Sequence, residues 1–228
     1  ALDGRLVDLN AAHAARLGRK SAVFAPTMLD LIRGGAKALK SARQALVFAR
    51  KNPHAAKAFT RDFAKVKLLA PLPRPGKIFC AGLNYNSHIE EEPGCAMLAD
   101  PRFFVKVSSA VVGPGAPFVS PGDKFQVDYE VELAVVIGRI ARRLTQPQAM
   151  GAIFGYTILH DVSARWVQFK DKNEDMGKNC DTFAPMGPCI VTADEIPDPS
   201  KLRLSLKLNG RVMQDRTNED WCFSLPRM

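Results

Sequence analysis

The 228-residue sequence lacks any apolar run approaching the roughly 20 residues that cross a bilayer, which excludes a membrane-spanning helix. No basic-then-apolar stretch of the secretory kind opens it. It starts at Ala1 without an initiator Met, so a removed leader stays open. Cysteine is scarce: Cys80, Cys95, Cys180, Cys189 and Cys222 are odd in number, far apart and free of any Cys-x-x-Cys pair. That usage argues against a disulfide framework and a zinc site, and it favours a reducing cytoplasm. Acids are also in deficit, 23 Asp and Glu against 32 Lys and Arg, for a net charge of +9. The bases are spread along the chain and do not gather into a stripe with interleaved aromatics, so neither nucleic acid nor a membrane is the expected partner. The surplus suits a small anionic substrate, because carboxylate pockets use Arg or Lys. Internal repeats and low-complexity tracts are absent. What remains is an ordinary globular composition, 46% hydrophobic and 24% charged, long enough for a large domain with or without a smaller one.

Residues 126–138, Gln-Val-Asp-Tyr-Glu-Val-Glu-Leu-Ala-Val-Val-Ile-Gly, are the stretch around which the rest is organised. Read as one strand, they place Asp128, Glu130 and Glu132 on one face. Two residues of rise separate the Glu130 and Glu132 Cα atoms by roughly 6.5–7 Å, within reach of a shared ion. A solvated sheet face is the ordinary fate of Glu-x-Glu. Here the following Leu133–Ile137 run is apolar at consecutive positions, as in a strand covered on both faces, so its leading carboxylates are expected to enter the interior and need a partner.

The first 70 residues are expected to form a small α/β unit. Gly4–Leu9 alternates like a strand, Asn10 can cap an Ala-rich helix, Thr27 a second, and a third should run from Ala36 to Arg50. Pro71-Leu-Pro-Arg-Pro-Gly76 then reads as an extended linker, which places a domain boundary near residue 70. Beyond it come a strand at 77–81, a helical turn carrying His88 and Glu91, and a mobile loop at 95–102. Another strand covers 103–106, and Gly155–Asp161 is a buried strand. Thr145 and Gln148 form a capping box, and Asn209-Gly210 makes a hairpin turn.

The acid at the end of the 155–161 strand, Asp161, is the third ligand candidate. An oxygen-only set of Glu130, Glu132 and Asp161 matches magnesium, manganese or calcium better than zinc or copper. His88 and Glu91, three apart on a turn, have the spacing of a general base oriented by a carboxylate, although a surface turn carries the same pattern. Ser163 can cap a helix on which Arg165 and Gln168 face the same way. Lys178, after a polar loop from Asp171 to Gly177, could hold a substrate carboxylate or simply be solvated.

These motifs in this order resemble the fumarylacetoacetate hydrolase family. The resemblance rests on Gly82-Leu-Asn-Tyr-Asn-Ser-His88, Phe104-Val-Lys106-Val-Ser-Ser, Val127-Asp-Tyr-Glu130-Val-Glu132-Leu, Gly155-Tyr-Thr, and Asp161-Val-Ser-Ala-Arg165. It continues through Lys178, Asp181-Thr-Phe-Ala-Pro-Met-Gly-Pro188, and Asn209-Gly210 with Gln214. It implies an α+β, β-dominated fold, a mixed β-roll of packed sheets, behind a small N-terminal domain (1–70), in a homodimer. It further implies Glu130, Glu132 and Asp161 as ligands of Mg2+ (or Mn2+ or Ca2+), with Asp128 a structural neighbour. His88 with Glu91 would activate water on a lid, and Arg165, Gln168 and Lys178 would contact a keto acid. Family members continue through a Thr-Gly-Thr-Pro segment, so the domain at 71–228 is expected to lack its C-terminal part. Two residues depart from the family pattern: His160 stands where Asn is usual, and Trp166 where Asp is usual.

The expected reaction is metal-dependent hydrolysis of a carbon–carbon bond in an acylpyruvate-like β-diketo acid. Decarboxylation, hydration or isomerisation and ureidoglycolate lysis use the same kind of site, and a non-enzymatic binding module is the alternative of another class.

Overall fold

A computed structural model describes residues 4–20, 22–91, 97–170 and 174–228. It separates into two compact units, Ala1–Leu68 and Leu69–Met228.

In the first unit, β1 (Arg5–Val7) pairs antiparallel with β2 (Thr60–Asp62), a strand the sequence reading did not assign. Between them lie α1 (Leu9–Arg16), α2 (Met28–Arg33), α3 (Gly35–Lys51) and α4 (Pro53–Ala56). The cap of α1 is Asp8, not Asn10: the extended Asp8 accepts from Ala11 N, whereas Asn10 already lies inside the helix. Asn10 instead donates to the Ala25 carbonyl at 2.8 Å and accepts from Phe24 N at 3.1 Å. Thr27 caps α2 as expected, in a reciprocal box with Asp30. The buried face of α3 is Ala38, Ala42, Ala45 and Ala49, a stripe at helical spacing. Its small side chains admit α1 closely, and Ala12, Ala45, Ala49, Ala56 and Phe59 form one core.

The second unit opens with β3 (Ile78–Gly82) and β4 (Arg102–Lys106), an antiparallel pair. Helix α5 (Asn86–Glu91) lies between them in sequence. The main sheet has the order β5-β10-β8-β7, from Val111–Val112, Ala184–Thr192, Ile153–His160 and Val131–Ile137. β5 runs parallel to β10 and the other pairs are antiparallel, so the sheet is mixed. β6 (Val127–Asp128) and β9 (Ser163–Ala164) form a further pair, and β11 (Arg203–Leu208) with β12 (Arg211–Thr217) a hairpin. The hairpin turns at Asn209 and Gly210, whose φ of 50° and 80° match the turn that Asn-Gly favours. Short helices α6 (Gln146–Met150), α7 (Arg165–Lys170) and α8 (Glu174–Lys178) complete the unit. Thr145 and Gln148 make the expected box at α6. The architecture is mixed α+β and sheet-rich, with several small sheets and no closed barrel among the described residues.

Several expectations are corrected. The 126–138 stretch is not one strand. Gln126 takes a left-handed φ of 50°, and the chain breaks pairing at Tyr129–Glu130, so β6 pairs with β9 while β7 pairs with β8. The apolar run is not covered on both faces: Val136 is buried, but Ile137 is 56% exposed. Ser163 caps nothing, since it lies in β9 and its hydroxyl donates to the Asp161 carbonyl at 3.0 Å. The polar stretch before Lys178 is helical from Glu174 onward. The lid expected at Glu92-Pro93-Gly94, the start of the 95–102 loop and residues 171–173 lie outside the described residues.

Candidate active site

The end of β8 and the start of β7 bring the acids together. Asp161 follows directly on β8, and its N–H donates to the Glu130 carbonyl at 2.8 Å across the β7–β8 edge. Glu132 is the second residue of β7, opposite Leu159.

Basic side chains close on this edge. Lys178 Nζ lies 2.7 Å from Glu130 Oε2 and 2.9 Å from Asp161 Oδ2, with Lys178 only 3% exposed. Burial alone would lower the Lys178 pKa, but Asp161 and Glu130 outweigh it and hold the ammonium above its ordinary range. Lys106 Nζ donates to Asp161 Oδ1 at 2.6 Å, to Val162 O at 3.3 Å, and to Lys178 O. Burial pulls Lys106 below the usual lysine range, opposed by Asp161. Arg165, at the start of α7, pairs with Asp128 at 2.8 Å and with Glu130, and donates to Gln168 Oε1 at 2.9 Å. The structure thus brings Glu130, Asp161, Lys178, Arg165 and Gln168 into one network, with Asp128 as the neighbour that holds Arg165.

Lys178 is therefore not a solvated loop residue. α8 carries it into the interior, where buried carboxylates favour a cation. Lys106 is the residue that the reading of the site missed. Its signal was weak: alternation along β4 puts Lys106 on one face with Phe104 and the exposed Arg102, and two bases on a face read as a solvated one.

Among the described residues, no three His, Cys, Asp or Glu side chains are gathered closely enough to hold an ion as they stand. The Lys178 ammonium bridges two of the three carboxylates expected as ligands. The chemistry of the set nonetheless suits a hard cation. Burial first, then the Glu130 and Asp161 charges, push Glu132 up to about 8, while Lys178 pulls it down, so this carboxyl gains most from a cation brought directly against it. Glu130, Glu132 and Asp161 thus fit an oxygen-ligated divalent ion by donor type and charge.

His88 and Glu91 both ride on α5, the first half-buried and the second exposed. Burial and then the Glu132 charge raise the phenol of Tyr85, one residue before the helix, above its ordinary range. His160 packs at the end of β8, its buried Nδ1 lacking a hydrogen-bond partner among the described residues, and burial lowers its pKa. Trp166 stacks edge-on against Phe125 and beneath Lys170 Nζ, 4.4 Å from its ring centre.

The family model for the fumarylacetoacetate (FAA) hydrolase C-terminal domain matches residues 77–228, which contain every residue of the network. The chain belongs to the fumarylacetoacetate hydrolase family. Within that family it is 36% identical to the mitochondrial oxaloacetate tautomerase Fahd2a of Rattus norvegicus over 223 residues, 97% of this chain and 66% of the rat protein. It is 36% identical to the oxaloacetate tautomerase YisK of Bacillus subtilis over 205 residues, 89% of this chain and 68% of YisK. The structure of maleylpyruvate hydrolase from Sphingobium sp. SYK-6, in complex with manganese(II) and pyruvate, aligns with a TM-score of 0.73 at 29% identity, over 99% of this chain and 75% of that one. That relative thus binds a divalent metal.

Proposed function

We propose that this chain carries the catalytic centre of an enzyme that stabilises the enolate of a 2-oxo acid, and that its reaction is keto–enol tautomerisation of an oxaloacetate-class dicarboxylate. The observation that carries the reading is the Lys178 ammonium bridging Glu130 and the buried Asp161 at the β7–β8 edge that also carries Glu132. Its similarity to two oxaloacetate tautomerases supports the choice of reaction.

Glu130, Glu132 and Asp161 would hold a hard divalent ion, magnesium or manganese, which when bound would supply Lewis-acid stabilisation of developing negative charge. Lys178 contributes an ammonium that can donate to the oxygen on C2 as the C3 proton leaves. The Arg165 guanidinium, its direction fixed by Asp128 and Gln168, pairs with a substrate carboxylate. His88 takes the C3 proton as general base. Tautomerisation needs nothing more: one proton leaves carbon and one reaches oxygen.

Hydrolytic cleavage of an acylpyruvate is the second reading. It is favoured by the His88–Glu91 spacing, which would orient the imidazole toward a water, and by the likeness to maleylpyruvate hydrolase. A panel of oxaloacetate and acylpyruvates, assayed with and without Mg2+ or Mn2+, separates the two. Loss of oxaloacetate enol absorbance with no new acid product supports tautomerisation, and stoichiometric pyruvate from acylpyruvates supports hydrolysis. Full turnover of both by His88→Ala would remove His88 from either mechanism.

A further inference from the structure

Helix α5 is six residues long and buries none of its side chains, so neither length nor packing holds it in place. It is held instead by a strip more than 130 residues later. Asn84 donates to the Phe223 carbonyl at 3.2 Å and accepts from Phe223 N at 2.8 Å. The Tyr85 hydroxyl donates to Asn218 Oδ1 at 2.8 Å, and Asn218 is itself anchored on the Pro199 carbonyl at 2.9 Å. Asn86 Nδ2 donates to the Asp220 carbonyl at 2.8 Å. Ser87 N–H donates to Asp220 Oδ2 at 3.1 Å, and the Ser87 hydroxyl donates to the same oxygen. Every residue from Asn84 to Ser87 is therefore bonded to the 218–223 strip, and the last contact comes one residue before His88.

We infer that Asp220 is a positioning residue for His88: its carboxylate, by gripping both the backbone and the hydroxyl of Ser87, fixes the first turn of α5 and thereby the direction from which the imidazole reaches substrate. A carboxylate accepting from a first-turn N–H makes a charge-assisted bond, about twice as strong as a neutral one. It also meets the positive end of the helix backbone. The other contacts along the strip fix where the chain enters the helix. Inside the helix Asn86 is held by the Asp220 carbonyl and by Cys222 Sγ, and among the described contacts with the strip the Asp220 carboxylate alone takes a backbone N–H of the helix. The inference rests on the general-base role proposed for His88.

The test uses the full chain with Asp220→Ala, Asp220→Asn, His88→Ala and the double variant His88→Ala/Asp220→Ala. Misplacing a catalytic group by about 1 Å costs on the order of 100-fold, so Asp220→Ala is expected to lower kcat about 10- to 100-fold. KM for oxaloacetate and Mg2+ affinity by titration should stay within about twofold, because the carboxylate cluster is untouched. Amide exchange should quicken at Ser87–Ile89. Asp220→Asn keeps an oxygen that can accept from Ser87 N–H, and is expected to recover part of the loss. The double variant should lose no more than His88→Ala alone, since both changes act through one imidazole.

Full kcat in Asp220→Ala beside an inactive His88→Ala, or additive losses in the double variant, overturns the inference while leaving His88 in its role. Loss of Mg2+ binding together with activity in both Asp220 variants also overturns it, since the residue would then be holding the whole unit. An active His88→Ala instead removes the function reading on which the inference depends.

Discussion

Lys106 Nζ stands 2.6 Å from Asp161 Oδ1, with the two side chains only 0% and 2% exposed. Asp161 is also bound by Lys178, which it shares with Glu130, so one carboxylate contacts two buried ammonium groups. Breaking a buried pair by removing one partner leaves an uncompensated charge and costs about 3–5 kcal/mol. Lys106→Met is therefore expected to destabilise the protein by about 3 kcal/mol, the low end because Lys178 remains. Urea unfolding reads this directly, and a midpoint within error of the parent would count against the network. Adding Asp161→Asn should cost less than the sum of the single changes, because the residues share contacts.

Glu132 sets a pH dependence. Its folded pKa is near 8, against an ordinary 4.5. Between these values the folded state keeps a proton that the unfolded state has lost, so this group makes stability fall as pH rises from about 4.5 to 8. In metal-free protein, Glu132→Gln should remove that decline and raise the melting temperature most at pH 8 and above. Parallel stability curves for parent and variant from pH 5 to 8.5 would refute the assignment.

The same carboxyl links metal to protons. At pH 7 Glu132 is held mostly protonated, and ligation requires it deprotonated. Titration with Mg2+ or Mn2+ in buffers of different ionisation enthalpy should show net proton release near pH 7, with affinity climbing toward pH 8 and then levelling. Glu132→Gln should bind more weakly and release no proton from this position.

Gly155 in β8 pairs with Thr192 of β10, just beyond the irregular stretch between Gly187 and Val191. A Cβ built there would come within 2.2 Å of the Val191 carbonyl oxygen and 3.0 Å of Thr192 Cα, both fixed backbone. Gly155→Ala must therefore displace a strand of the central sheet, at a cost expected to exceed the roughly 1–3 kcal/mol of ordinary overpacking. Reduced soluble yield and a lowered unfolding midpoint are the readouts. A parent-like midpoint would mean that the two strands pass farther apart.

The cysteines should separate by reactivity. Burial, then the Asp161 charge, push the Cys80 thiol up to about 12, whereas Cys189 is exposed. Thiolate is the reactive form. Iodoacetamide at pH 8 should thus label Cys189 in the native protein and reach Cys80 only after unfolding, as peptide mapping would show. The four described cysteines are all free.

Local signals in the sequence carried well where the energetics are local. Thr27 with Asp30, Thr145 with Gln148, the α3 span and the Asn209-Gly210 hairpin each depend on residues within a few positions of one another, and the structure contains all of them. Asn10 misled because Asn, Asp and Ser are near-equal caps, and only the backbone decides which of Asp8 and Asn10 stands outside the helix. The short strand β2 escaped because Thr60–Asp62 is a strand only by virtue of pairing with β1, more than 50 residues away.

The sequence by itself determined which residues could do chemistry: the acids 130, 132 and 161, the Arg165–Gln168 spacing, and a histidine followed by Glu91, because residue type and short spacing are written in it. Tertiary structure alone decided what those residues do to one another. It split the acidic stretch at Tyr129–Glu130 and carried Lys178 and Lys106 into the carboxylates. It also laid Asp220 beneath the helix of His88. The physical reason is the same in each case. A buried charge or an orphaned backbone N–H must find a partner, and whichever group the folded chain brings within reach supplies it, however distant it is in sequence.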